Sequence, residues 1–222
     1  MVWLVTLVVA AAIILLRQPL RKPGTNKAVR CTLAALLVAC ELSFQSWYVL
    51  GGTWGVHALP FQLCSMMVLF SAVLLISRNA KLGDVVFFLG ILGALQALLT
   101  PNLDYNFPHF RYFHFYAAHI GIIAACLFWA AVERYRPSLK SAVRAYVWLH
   151  LLAVPAAITN TATGTTNFMF LARKPDTASL LDLLGPWPWY LLQLELVVIA
   201  LILILLGLMK IMEWSTNRRN EI

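Results

Sequence analysis

The sequence predicts an all-α polytopic membrane protein, a single bundle of seven transmembrane helices. Three observations carry that prediction. Of 222 residues, 61% are hydrophobic and only 12% charged, outside the range of ordinary soluble domains. The charges are segregated, and the windows between them approach the roughly 20 apolar residues a membrane-crossing helix needs. The Lys and Arg residues also alternate in density from loop to loop.

The apolar windows lie at about 2–17, 31–50, 57–77, 83–100, 112–132, 143–159 and 189–211. Together they occupy the chain, so 1–222 reads as one integral membrane domain with no room for a soluble second one. The first and sixth windows are short, so the count is seven, or six. The first opens on Met1-Val2-Trp3 and carries its positive charge after the apolar run. A cleaved secretory signal has the opposite order, so this segment reads as a retained helix.

Between windows two and three, Gly51-Gly52-Thr53-Trp54-Gly55 makes a tight turn. The next loop on that side, Asn102 to Arg111, is broken by Pro101 and Pro108. The longest connection covers about 160–188 and is mostly uncharged, a length that is uncommon without a function. Its apolar portions, Phe168-Met169-Phe170-Leu171 and Leu180-Leu181-Asp182-Leu183-Leu184, are expected along the interface or folded back as a lid. Gly185-Pro186-Trp187-Pro188-Trp189-Tyr190 adds rigid turn chemistry and an aromatic anchor at the start of the last helix. No internal repeat is visible, which argues against an inverted-repeat transporter.

The basic residues set the expected orientation. Arg17, Arg21, Lys22, Lys27, Arg30, Arg78, Lys81, Arg134, Arg136, Lys140, Arg144, Lys210, Arg218 and Arg219 fall on one side. Only Arg111, Arg173 and Lys174 fall on the other, so the 17 basic residues divide 14 to 3. The positive-inside rule then puts the N-terminus outside and the C-terminus inside. The net charge of +8 is thus a topology signal and points to no nucleic-acid partner; the short basic loops suit anionic lipid head groups.

Cys31, Cys40, Cys64 and Cys126 all lie in apolar windows without a CxxC pair, so neither a disulfide framework nor a zinc knuckle is expected. His109, His114 and His119 recur every five residues, turning about 140° between side chains on a helix, so one helix cannot gather them around a metal. His57 and Cys64, seven apart, do share a face. No metal or cofactor is expected. Gly83, Gly90 and Gly93 lack the strand–turn–helix context of a phosphate loop and read as close-packing positions.

Four groups stand out against this background. Cys64, His119 and Glu195 lie six or seven residues inside the same edge of their windows, about 10 Å deep, and Glu41 about 14 Å deep. Hydrocarbon penalises such groups, so a shared depth suggests a site. Gln45, Ser46, Gln62, Gln96, His114 and Gln193 lie in the same half, while His150 is the exception in the other. An outward-opening polar cavity floored by apolar side chains follows. A lone buried cysteine is ordinarily packing, and an intramembrane histidine often bonds one helix to another. Together, however, an imidazole can take a thiol's proton and make it a nucleophile. No Lys or Arg shares the depth of Glu41 or Glu195, so one of these carboxylates is expected to orient His119.

His57-Ala58-Leu59-Pro60-Phe61-Gln62-Leu63-Cys64-Ser65 resembles the YwaF-like family of bacterial integral membrane proteins. The resemblance runs through the His119 helix to Asn167-Phe168-Met169-Phe170-Leu171, Lys174-Pro175, Ser179-Leu180-Leu181-Asp182 and the 185–190 block, spanning roughly residues 40–195. That family is remotely similar to eukaryotic transmembrane acyltransferases that make polyunsaturated ether phospholipids, and to intramembrane hydrolases of fatty-acid esters. The resemblance implies a multi-pass protein of the bacterial cytoplasmic membrane and assigns catalysis to Cys64 and His119. Family members often carry histidine where this chain has Gln62.

The expected function is therefore an intramembrane lipid acyl hydrolase or acyltransferase acting on a membrane phospholipid or other acyl lipid. Cys64 is the expected nucleophile, His119 the base, and Glu195 or Glu41 the orienting carboxylate. Oxyanion donors are expected among Gln62, Gln96 and Asn167, with Gln45, His114 and Gln193 in support. The alternatives are a carrier or binding protein using the same carboxylates, or a structural membrane subunit.

Overall fold

The computed structural model describes residues 1–220, and among the described residues there is no strand. In chain order the long helices are α1 (Val2–Leu15), α2 (Pro23–Leu50), α3 (Leu63–Ser77), α4 (Ala80–Leu99), α5 (Phe110–Ala131), α6 (Leu139–Thr163) and α7 (Trp189–Asn220). Five of them, α2 and α4 to α7, are long and apolar enough to cross a membrane. The apolar helices α1 and α3 have 14 and 15 residues. At 1.5 Å per residue they cover about 21–23 Å of a hydrocarbon layer about 30 Å thick. The Arg219 side chain, counted above among the inner charges, and Glu221-Ile222 lie outside the described residues.

The sixth window is not short. It sits inside the 25-residue α6, because polar residues at both ends are helical too. Ser138 and Ser141 close a reciprocal capping box at its start, and Gly164 ends it in the left-handed conformation at φ +65°. The third window is the one that is cut. Val56–Ala58 forms a single 3₁₀ turn, Leu59 is extended before Pro60, and α3 begins only at Leu63.

Successive helices alternate direction, giving the bundle a basic end and a long-loop end. At the basic end, arginines serve helix termini. Arg21 donates to the carbonyls of Val132 (3.1 Å) and Ala131 (2.7 Å), and Arg136 to that of Ala130 (3.2 Å). Arg30 donates to the Leu75 carbonyl near the end of α3. Cations here satisfy orphan carbonyls and complement the negative helix ends. Arg78 closes α3 in the left-handed conformation (φ +54°) and reaches Glu133 at 2.6 Å, where Asn26 also donates at 2.7 Å. Part of the basic charge expected to meet lipid head groups is thus turned onto the protein's own backbone.

α4 and α5 form the centre of the bundle, each 56% buried across its apolar window, whereas α7 is 6% buried and leans mainly on α6. Inside α4 the backbone widens into a π-turn at Val86–Gly90, and the Cys126 thiol donates to the Val86 carbonyl at 3.2 Å. Cys126 is therefore a packing and bonding residue. Gly83 admits the Trp129 indole and Gly90 admits Ile122 and Cys126, which is the close packing expected of those glycines.

The 164–188 connection folds back as a pinned cap rather than a free linker. Asn160 clamps Phe168 through both backbone groups (3.0 and 2.8 Å) and accepts from Thr166 at 2.9 Å. Phe168 is 3% exposed. Further along, Lys174 donates to the Leu184 carbonyl at 2.7 Å, and Ser179 and Asp182 cap a 3₁₀ turn at Leu180–Leu183. Tyr190 donates to the Phe170 carbonyl, tying the cap to α7.

Candidate functional site

Glycine contacts give the relative heights of the helices. Gly93 of α4 faces Leu63, while Gly90, three residues toward the basic end, faces Ile122 and Cys126 of α5. Three residues rise about 4.5 Å, so Leu63 and Cys64 stand about level with the 119–123 stretch of α5. Leu37 of α2 meets Gly121. One turn toward the long-loop end, Glu41 comes about level with Ala117. Glu41, Cys64 and His119 thus share one layer, roughly a turn thick.

His119 is 5% exposed, and its Nδ1 lies 2.6 Å from the Phe115 carbonyl one turn back. A carbonyl only accepts, so Nδ1 carries the proton and the neutral ring presents a bare lone pair at Nε2. That atom is buried without a hydrogen-bond partner among the described residues. The imidazole is therefore held by its own helix. Neither carboxylate accepts from it, which corrects the expected Glu–His link.

Cys64 is half-buried in the first turn of α3. The first intrahelical bond there runs from Met66 N–H to the Gln62 carbonyl (3.2 Å), leaving the N–H groups of Leu63, Cys64 and Ser65 without intrahelical partners. Gln62 occupies the cap position, yet its side chain does not cap: Oε1 accepts from Met169 N–H of the long loop at 2.9 Å. Uncapped donors at a helix N-terminus are a natural place for a developing negative charge.

The other expected donors are committed elsewhere. Asn167 closes its own loop, bonding Arg173 through its amide N–H and carbonyl oxygen and Ala172 through that oxygen. Gln96 donates to Thr100 (2.8 Å) one turn along, and Gln193 accepts from Gly185 N–H (2.6 Å). Gln45 bonds Glu41 (2.9 Å), the Ala58 carbonyl (3.0 Å) and Trp54 (3.0 Å), so Glu41 is fixed at 7% exposure beneath the Gly51–Ala58 turn.

Glu195 lies apart, on the seam between α6 and α7. Tyr146 donates to its Oε2 at 2.8 Å, and His150 Nε2 stands 3.3 Å from Oε1. His150 Nδ1 faces the Tyr146 carbonyl at 2.9 Å, and because a carbonyl only accepts, Nδ1 is the donor there. Depth in sequence grouped Glu195 with His119. The bundle groups it with His150, the residue that seemed out of place.

An open cavity of about 410 Å³, lined by both polar and apolar surface, lies at the long-loop end. Trp47, Tyr48, His57 and Tyr105 wall it, and Asp104 and Arg111 are its charged groups. None of Glu41, Cys64, His119 or Glu195 lines it. By residue rise along α2 and α5, Glu41 and His119 lie deeper than the lining residues Trp47 and Arg111, while Glu195 lies on the α6–α7 seam. Arg111 was overlooked as a loop charge, although it is the second residue of α5. Its guanidinium lies 4.0 Å from the Phe44 ring centroid and 5.5 Å from that of Trp47, and Nη1 donates to His114 Nδ1 at 3.3 Å. It is within electrostatic reach of Glu41, so a cation does neighbour that carboxylate. Aromatics at 44 and 47, about one turn apart on α2, were the available signal.

The model of the TMEM164 family matches residues 1–206, and the chain belongs to that family. No curated protein and no solved structure matches it.

Proposed function

We propose that this TMEM164-family protein is an intramembrane lipid acyltransferase or acyl hydrolase that works through a thioester on Cys64. The observation that carries the reading is the buried, unpartnered Nε2 of His119 at the height of Cys64. A lone pair held in a single tautomer without a partner fits a general base whose partner is a reacting proton. His119 Nε2 takes the thiol proton as Cys64 Sγ bonds to the ester carbonyl carbon, and the uncapped N–H groups of α3 receive the oxyanion. The ester C–O bond then breaks, and the imidazolium returns its proton to the leaving alkoxide. Water or an acceptor hydroxyl attacks the thioester in the reverse sequence, giving its proton to His119 and restoring the thiol. Glu41, in the same layer, stabilises the imidazolium through space, while Glu195 serves the α6–α7 seam.

The same proposal includes seven spans, with α1 and α3 completing the five longer helices, the N-terminus outside and the C-terminus inside a bacterial cytoplasmic membrane. The 14-to-3 division of Lys and Arg supports that orientation. The YwaF-like resemblance, with its remote acyltransferase and hydrolase relatives, supports the chemistry. The test is turnover of a fatty-acid ester by reconstituted protein. Cys64→Ala and His119→Gln are expected to lose about 10²-fold or more. Full activity in folded Cys64→Ala protein would eliminate the covalent route. The competing reading, a non-catalytic carrier or binding protein, draws on the outer cavity, which Cys64 does not line. It predicts that ligand uptake survives Cys64→Ala.

A further inference from the structure

We propose that the cavity at the long-loop end is a head-group site for a zwitterionic phospholipid, with the phosphodiester on Arg111 and the ammonium among Trp47, Tyr48 and Tyr105. The inference rests on the cavity and not on the chemistry at Cys64.

Arg111 is a half-buried cation that lacks a bonded counter-ion. Among the described residues no carboxylate oxygen lies within 4.0 Å of it, although Asp104 and Glu41 are in electrostatic reach. Glu41 is engaged with Gln45, and Arg111 spends one donor on His114. An arginine can only donate, so His114 accepts through Nδ1, and that imidazole adds no negative charge. Stacked against Phe44 and Trp47, the guanidinium is stiffened by packing, with donors left for an anion. A guanidinium fork suits two oxygens of one phosphate.

The walls fit the other half of the ligand. Tyr105 stacks on His109 (4.1 Å between centroids) and meets Trp47 edge-on at 5.7 Å, and Tyr48 packs on His57 at 5.1 Å. These rings form a fixed aromatic enclosure, and Asp104 adds negative charge on the same cavity. Aromatic faces beside a carboxylate recognise quaternary or primary ammonium groups. The cavity sets a cation that lacks a bonded counter-ion beside aromatic rings and a carboxylate, groups that between them can meet both charges of a zwitterion. Its place at the ends of apolar helices, among Trp and Tyr residues, is head-group level. Along α5, Arg111 is eight residues above His119, about 12 Å of rise, which leaves the glycerol esters nearer the Cys64 layer.

The test is calorimetric binding of a short-chain phosphatidylcholine to detergent-solubilised Cys64→Ala protein, so that turnover plays no part. Saturable binding is expected, weakened at least 10-fold by Arg111→Gln. Tyr105→Ala and Asp104→Asn, both on the exposed loop, are expected to weaken phosphatidylcholine while sparing short-chain phosphatidylglycerol, which carries no ammonium. Chain-matched diacylglycerol is expected not to compete. Equal binding by the parent protein and by all three variants, each verified as folded, would overturn the proposal. So would phosphocholine or inorganic phosphate binding as tightly as the lipid, which would assign the cavity to a soluble phosphoester. Should Arg111→Gln fail to fold, the two loop variants decide alone.

Discussion

Gly83→Ala should break the tightest contact in the bundle. A Cβ at Gly83 would stand 2.3 Å from Trp129 Nε1, 2.6 Å from Cε2 and 2.9 Å from Cζ2. Favourable contacts between such atoms lie near 3.5–4.0 Å, so the indole must retreat by roughly an ångström. It has little room: Trp129 is 7% exposed, and its ring tilts against Tyr135 at 5.9 Å. Tyr135 in turn donates to Asp84 at 2.5 Å, and Arg144 pairs with the other Asp84 oxygen. Overpacking of this kind costs about 1–3 kcal/mol, against the roughly 1 kcal/mol that Ala gains over Gly in a helix. Gly207 of α7 supplies the control, because a Cβ there meets nothing within 4 Å. In denaturant titrations of detergent-solubilised protein, Gly207→Ala should be neutral or stabilising and Gly83→Ala the less stable of the two; the helix gain is common to both, so their difference is the overpacking cost of about 1–3 kcal/mol. Combining Gly83→Ala with Trp129→Leu should recover part of the loss, as coupled neighbours do. Equal stability of the two glycine variants would refute the packing argument.

Three further outcomes are expected. Asn160→Ala removes the clamp on Phe168 and should expose the 164–188 segment to limited proteolysis at a raised rate, at a cost of about 1–3 kcal/mol; an unchanged cleavage rate would mean that the cap is held elsewhere. Glu133→Gln unpairs Arg78 and should lower stability by about 1–2 kcal/mol, while a neutral Arg78→Ala/Glu133→Gln double variant would show the pair to be replaceable. Glu195→Gln should loosen α7 from α6 in thermal scans yet leave ester turnover within a few-fold, whereas a loss as deep as that of His119→Gln would restore Glu195 to the catalytic group.

The coarse architecture was legible because hydrocarbon imposes a one-dimensional code: apolar length and flanking charge are written along the chain. What failed was which helices meet, and at what level. Sequence depth placed Glu195 beside His119, but the helix against which α7 packs brings Tyr146 and His150 instead. Arg21 and Arg30 looked like a lipid-facing surface, since the carbonyls they satisfy lie at the ends of α5 and α3, distant in sequence. Window length misjudged α3 and α6 in opposite directions, because Pro60 breaks an apolar run while Asn160, Thr161 and Thr163 extend a helix through polar residues. Asn167 resembled a site donor and Gln193 a supporting group, but Asn167 bonds its own loop and Gln193, on α7, accepts from that loop at Gly185. Arg111 was counted as a loop charge, and its role depends on Phe44 and Trp47 of another helix.

The most direct measurement of the central claim is intact mass spectrometry of reconstituted protein after exposure to native lipids, with His119→Ala beside it. The account predicts an acyl adduct on Cys64 that forms in the parent protein and not in His119→Ala. A folded parent protein whose Cys64 stays unmodified under turnover conditions, or an adduct indifferent to His119, would contradict it.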